Sequence, residues 1–106
     1  MGDNIKGIKN ISKNVGPKYI LRLFITGSTP NSLKAISNTK EICETYLKDN
    51  YELEIIDVYQ EPAMAETEQI IALPLLVKMA PLPVRKLVGD MSDRKKMLHG
   101  LGIEIN

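Results

Sequence analysis

The sequence contains one cysteine, one histidine, one phenylalanine and no tryptophan. A lone Cys43 excludes an internal disulfide and a two-thiol redox centre. Cys43 and His99 supply two soft ligands, short of the three or four of a zinc site, so neither metal nor cofactor is expected. His99 fits a position near a helix C-terminus, where a cation is favourable. No uncharged apolar run approaches the roughly 18 residues of a membrane span. The opening residues MGDNIKGIKNISKNVG lack the apolar stretch of about 7 to 15 residues that a secretion signal needs. Gly2 follows Met1, but Lys6 stands where a myristoylation signal wants Ser or Thr. A cytoplasmic protein with no membrane partner is expected. A dominant charge is missing as well: 14 basic against 13 acidic residues leave +1, without the concentrated positive field of a nucleic-acid binder. The phosphate-cradling glycine loops and the G-x-S-x-G elbow are absent. Glu41, Glu44, Glu52, Glu54, Glu66 and Glu68 fall on polar faces of surface elements, which suits solvation better than acid–base catalysis. No enzyme is expected.

What is present suffices for one small α/β domain: 106 residues with 43% hydrophobic content. A domain of this size buries a modest core and often shares surface with copies or partners. Residues 1–17 read as a flexible basic N-terminal arm, and 18–106 as the domain. Through Lys18 the arm carries four lysines against Asp3, a net +3, while the rest of the chain holds ten basic and twelve acidic residues. Tyr19 to Thr26 is β-branched and aromatic, apolar on both faces except at Arg22 and Thr26, as a doubly covered central strand would be. Gly27-Ser28-Thr29-Pro30-Asn31 then supplies a turn, a capping hydroxyl at Thr29 and a proline at the first helical position. The spacing predicts a helix from Pro30 whose apolar stripe is Leu33, Ile36, Cys43 and Leu47, widened by Ala35, Ile42 and Tyr46. Cys43 on that stripe reads as a small buried hydrophobe. Asp49-Asn50 ends the helix, and Tyr51 to Tyr59 follows as a second strand, completing a βαβ unit.

A short helix from Ala63 to Ile71, a third strand from Ala72 to Met79 led by Pro74, a fourth from Val84 to Val88 and a closing helix from Asp93 to His99 complete the order βαβαββα. The last third carries conflicting preferences: Gly100 and Gly102 interrupt, while Leu98, Leu101, Ile103 and Ile105 suit either a helix or an alternating strand. Met64, Met79 and Met91 are expected to add adaptable apolar surface. Arg22 inside an apolar strand needs an edge, a carboxylate such as Asp57 or Glu54, or a partner. Arg22, Lys34, Arg85 and Lys86 are therefore candidates for partner contact or assembly.

The order βαβαββα, with a helix directly after the first strand and a proline leading the third, resembles the thioredoxin fold. In redox members reactive thiols sit at that helix N-terminus, where backbone N–H groups stabilise thiolate. Here Ser28-Thr29-Pro30-Asn31-Ser32 holds the place, and no base lies nearby in sequence to activate a hydroxyl.

A closer match lies in three segments: Leu21-Arg22-Leu23-Phe24-Ile25-Thr26-Gly27-Ser28-Thr29-Pro30-Asn31-Ser32, Ile56-Asp57-Val58, and Pro83-Val84-Arg85-Lys86-Leu87-Val88-Gly89-Asp90-Met91-Ser92. Together they resemble the KaiB family of circadian clock proteins, from about Tyr19 to Gly100. The resemblance implies a non-catalytic regulator that binds a KaiC-like hexameric ATPase. It also implies two arrangements: a tetrameric ground state with a βαββααβ C-terminal half, and a thioredoxin-like monomer that docks. Arg22, Lys34, Arg85 and Lys86 would serve assembly or docking, while Pro74, Gly89, Asp90, Gly100 and Gly102 would serve the switch. Ala72-Leu73-Pro74-Leu75 in place of A-T-P-T, Leu82 within a proline triplet, and Gly102 where Asp is common imply a member outside the standard cyanobacterial oscillator. Self-association as a tetramer or dimer is expected. The competing expectation is a thioredoxin-fold adaptor linked to a sensor histidine kinase.

Overall fold

The computed structural model describes residues 18–63 and 73–103. The expected arm at 1–17, residues 64–71 of the expected short helix, Ala72, Met64 and Ile105 lie outside the described residues; Pro62 and Ala63 are helical. The elements are β1 (Tyr19–Ile25), α1 (Pro30–Tyr46), β2 (Tyr51–Asp57), β3 (Leu75–Ala80), β4 (Arg85–Val88) and α2 (Arg94–Leu101). One four-stranded sheet runs in the order β2-β1-β3-β4. β1 pairs parallel with β2, β3 runs antiparallel to β1, and β4 antiparallel to β3. This is the thioredoxin-like arrangement of the two that the sequence left open.

The apolar alternation of β1 serves two cores. Leu21, Leu23 and Ile25 join Leu76 under Ala35, Ile42 and Cys43 of α1 and Met97, Leu98 and Leu101 of α2. On the opposite face Phe24 packs with Ile56, Leu75 and Val77. β1 is thus covered on both sides, as its composition requires.

Helix α1 begins where expected: Thr29 is the N-cap, its hydroxyl accepting from Ser32 N, with Pro30 at the first helical position. Its apolar stripe of Ala35, Ile36, Ile42, Cys43, Tyr46 and Leu47 faces the core as expected, and departs from expectation only at Leu33. Leu33 is 54% exposed, while Ser32 and Thr39 are fully buried among the apolar residues. The cap supplies the reason, since Ser32 turns inward to bond Thr29 and to accept from Thr26 N at 3.0 Å, which carries Leu33, about 100° further round, to the surface. Buried Thr39 Oγ1 finds no hydrogen-bond partner among the described residues.

Strand β2 stops at Asp57, short of Tyr59, because the Asp57 carboxylate accepts from Tyr59 N at 2.9 Å and its carbonyl from Gln60 and Glu61, closing a turn. Strand β3 starts at Leu75 and runs to Ala80, preceded by a cis Leu73–Pro74 bond. Met91 is buried at 6% exposure and Met79 packs on the second core, so these two methionines fill space rather than present surface. The conflict in the last third resolves as helix. α2 passes through Gly100 to Leu101, two residues beyond the expected His99, and Gly102 caps it in the left-handed region at φ 74°. One close approach and one backbone conformation explain the glycines. A Cβ on Gly100 would fall 2.5 Å from Leu87 Cδ2, and only glycine adopts the Gly102 conformation at no steric cost.

Candidate functional site

Two places carry polar chemistry: the N-terminal end of α1 and the basic residues of the sheet with the joints around them. At the first, Thr29 Oγ1 donates to Ser32 Oγ at 2.8 Å, and Ser32 N donates back to Thr29 Oγ1 at 3.2 Å. The Asp57 carboxylate accepts from Gly27 N at 3.2 Å as well as from Tyr59 N. The hydroxyls therefore bond one another and the backbone, and the carboxylate secures two turns. An open cleft lies between this end and the proline loop, lined by Thr26, Thr29, Pro30, Asn31, Leu73 and Pro74. Cys43 sits eleven residues beyond Ser32, about 16 Å along the helix. It is fully buried, and burial pushes its thiol up to about 12. A thiol held that high carries almost no thiolate at neutral pH.

At the sheet, register decides which basic residues meet. Glu54, Arg22, Val77 and Lys86 form one row across β2, β1, β3 and β4. Arg22 Nε lies 3.5 Å from Glu54 Oε1, so of the carboxylates considered for it the structure selects Glu54 over Asp57. Arg22 and Lys86 share a sheet face, two strands or about 10 Å apart. Arg85 belongs to the adjacent row of Leu53, Leu21, Lys78 and Arg85, whose side chains point to the other face. Arg85 and Lys86 are both exposed. Lys34 does not join them: it lies on the exposed side of α1, where its charge helps hold the Asp90 carboxyl below the usual range. The first cause there is hydrogen bonding from Ser92, whose N donates to Asp90 Oδ1 at 3.0 Å.

Sequence reasoning missed Lys78. It is 5% exposed, with its amine pushed down by burial and by Arg85 beside it. The signal was available in Leu75-Leu76-Val77-Lys78-Met79, a lysine in phase with Leu76 on an apolar strand.

The residues expected at a switch cluster at the joints of β3, β4 and α2. The Pro74 carbonyl accepts from Gly89 N at 2.9 Å, tying the start of β3 to the end of β4. Gly89 has φ 118°, and Met91, a non-glycine residue, has φ 64°. Asn38 Nδ2 of α1 donates to the Asp90 carbonyl at 3.0 Å, securing the loop that leads to α2. His99 is exposed in the last turn of α2. Among the described residues no group of three or more His, Cys, Asp or Glu side chains is placed to hold a metal ion, and no helix is long and apolar enough to cross a membrane.

Comparison with known proteins bears on both places. The family model described as KaiB domain matches residues 22–103, which takes in the α1 end, the sheet row and the joints. The chain belongs to the KaiB family. Its KaiB relatives include the circadian clock oscillator protein KaiB of Picosynechococcus, 49% identical over 80% of this chain and 82% of that protein. The proteins of the same name from Prochlorococcus marinus subsp. pastoris and Synechococcus elongatus are 48% and 47% identical over the same share of this chain, covering 79% and 83% of their own lengths. Among solved structures, the N-terminal domain of Synechococcus elongatus SasA aligns with TM-score 0.66 at 23% identity, covering 87% of this chain and 90% of that domain. Mitochondrial thioredoxin 3 of Saccharomyces cerevisiae aligns with TM-score 0.66 at 14% identity, over 92% and 88%. At those identities the structural likeness establishes the fold alone, and this KaiB family member is thioredoxin-like.

Proposed function

We propose that this chain is a non-catalytic regulator of circadian timing or stress response that works in the cytoplasm by docking on a KaiC-like hexameric ATPase. The observation that carries the reading is the exposed basic strand β4, Arg85 and Lys86 on its two faces, in a member of the KaiB family. Arg22, in the same row as Lys86, extends the surface, and Lys34 adds a separate cation on α1. Charged rims of this kind steer encounter and fix register more than they add affinity. The α1 end supports the absence of catalysis, since its hydroxyls are engaged with each other and Cys43 is buried. The far higher identity to KaiB proteins than to the SasA domain favours this reading over a sensor-kinase adaptor.

Fold switching enters as part of the same proposal. Pro74, Gly89, Asp90, Gly100 and Gly102 hold the C-terminal half in its thioredoxin-like packing, and that packing is the docking form. A partner that selects a conformer populated at about 1% binds about 100-fold more weakly overall, a cost of about 2.7 kcal/mol, and binds slowly. The test is size-exclusion chromatography with light scattering on the chain mixed with a KaiC-like ATPase from the same cells, under ATP and under ADP. Nucleotide-dependent co-elution, weakened by Arg85→Glu/Lys86→Glu and retained by Cys43→Ser, is expected. Absence of any complex after days of incubation overturns the reading.

A further inference from the structure

The chain is free of carboxylates from Asn4 to Lys40 and again from Gln69 to Gly89. The fold brings part of each stretch to one end of the sheet. Lys18 precedes β1, Ile20 of β1 pairs with Ala80 at the end of β3, and Pro81, Leu82 and Pro83 make the turn toward Arg85, the first residue of β4. Tyr19 N donates to Asn50 O at 3.0 Å, which sets exposed Lys48 at the same end. Leu82 at the apex of the turn is 80% exposed and Val84 48%. Single apolar side chains on a surface are ordinary, but these two stand together between cations. Pro81 and Pro83 on either side of Leu82 have no N–H, so the apex has few backbone donors to strip of water on entering an apolar phase. Arg85 and Lys86 are exposed just beyond Val84, on the two faces of β4, where long side chains can lay their stems along apolar surface and reach an anion with their heads. The carboxylates near this end, Glu44, Asp49 and Glu52, lie on the side of α1 and β2, the first bonded to the Tyr51 hydroxyl and the last 3.8 Å from Lys18.

The sequence that leads into this end at Lys18 has the same chemistry. Ile5, Ile8, Ile11 and Val15 recur every three to four residues. At about 100° per residue they fall within roughly a third of a helical turn, while Lys6, Lys9 and Lys13 group together away from them. An apolar stripe backed by lysines is the pattern of a helix that lies on an anionic bilayer rather than crossing it. So short a segment binds weakly by itself. Tethered through Gly16-Pro17 to an apolar turn with its own cations, it needs only a second contact to hold the first in place.

We propose that residues 4–18 and the turn from Pro81 to Val84 form one docking end for an anionic lipid surface, Leu82 and the isoleucines entering the interface while the flanking lysines and Arg85 meet phosphate headgroups. The expectation of no membrane partner rested on spans and lipid anchors, and a contact on the surface needs neither; no helix among the described residues is long and apolar enough to cross a bilayer. The start of α1 and the Asp90 loop lie at the other end of the sheet, away from the lipid. The proposal does not rest on docking to an ATPase.

Flotation of the full chain with vesicles of phosphatidylglycerol and phosphatidylcholine in equal parts, against vesicles of phosphatidylcholine alone, tests it at low and high salt. Lys6→Glu/Lys9→Glu/Lys13→Glu reverses the charge of the first segment and Leu82→Asp removes the apolar apex, both outside the two cores, and circular dichroism establishes that each variant is folded. The chain has no tryptophan, so Leu82→Trp supplies a single reporter at the apex. Expected is binding to the anionic vesicles alone, weakened by salt and at least about tenfold weaker in either variant, with a blue shift of the Leu82→Trp emission on those vesicles. No binding to anionic vesicles at low salt overturns the proposal. Binding unchanged in either variant overturns the shared docking end. Tight binding to heparin or RNA, with no shift of the Leu82→Trp emission on vesicles, reassigns the surface to a soluble polyanion and overturns the lipid reading.

Discussion

The half built from β1, α1 and β2 and the half built from β3, β4 and α2 reach the same sheet by different means. In the first, a 17-residue helix with a hydroxyl N-cap and a leading proline links two seven-residue parallel strands. In the second, strands of six and four residues precede an eight-residue helix. Positive φ angles occur in both, at Gly27 and Asp49 in the first and at Gly89, Met91 and Gly102 in the second. The first half follows from local signals that agree with one another. The second depends on where Gly100 meets Leu87 and where Pro74 meets Gly89, contacts between segments with little preference of their own. Regions of short elements and few local determinants open at lower free energy, which is where a rearrangement would act.

Substitution at Gly100 should break the comparison most strongly. Gly100→Val sets a branched side chain against Leu87 and is expected to cost about 2–3 kcal/mol in urea unfolding, with partial recovery when Leu87→Ala is added. Hydrogen exchange on the same variant sharpens the point. Amides of β4 and α2 should lose protection while those of β1 and α1 keep theirs, and an equal loss throughout would mean one cooperative unit rather than two regions.

The matching insult to the first half is Thr29→Ala, which removes the cap of α1 and a partner of buried Ser32. A loss of about 1 kcal/mol or somewhat more is expected, measured the same way. Gly102→Ala places a Cβ in the left-handed region and should cost about 1 kcal/mol, localised to the end of α2. Arg94→Ala, which removes a solvent-screened surface ion pair to Glu41 at 3.3 Å, should leave the urea midpoint almost unchanged.

The Cys43 thiol has no titration effect at neutral pH and a distinct one in alkali. Its thiol is raised from 9.0 to about 12 by burial, so between those values the unfolded chain releases a proton that the folded chain keeps. The corresponding stability is fully present below pH 9 and is lost as pH rises toward 12. In Cys43→Ala the alkaline decline should be shallower, and in the unmodified chain the thiol should resist alkylation until the protein unfolds.

Legibility followed the same division. The N-cap at Thr29, the start at Pro30 and the central character of β1 were readable because each rests on neighbours in sequence. The outward turn of Leu33 in the first turn of α1 was not, since burying Ser32 there depends on a hydrogen bond from Thr26 N that no periodicity reveals. Of the candidate site residues, Arg22 was recognisable as a cation needing a partner, but only register could select Glu54. Lys78 was overlooked because a single lysine in an apolar run is also compatible with a strand end.

Composition and local chemistry alone pointed to an α/β fold and left no thiol pair, and the motifs pointed to the family. Those properties depend on which residues are present and in what order. Tertiary structure decided the C-terminal helix, the pairing of Arg22 and the burial of Lys78. Each of these depends on residues far apart in the chain being brought to within a few ångströms, and sequence spacing carries no record of that distance.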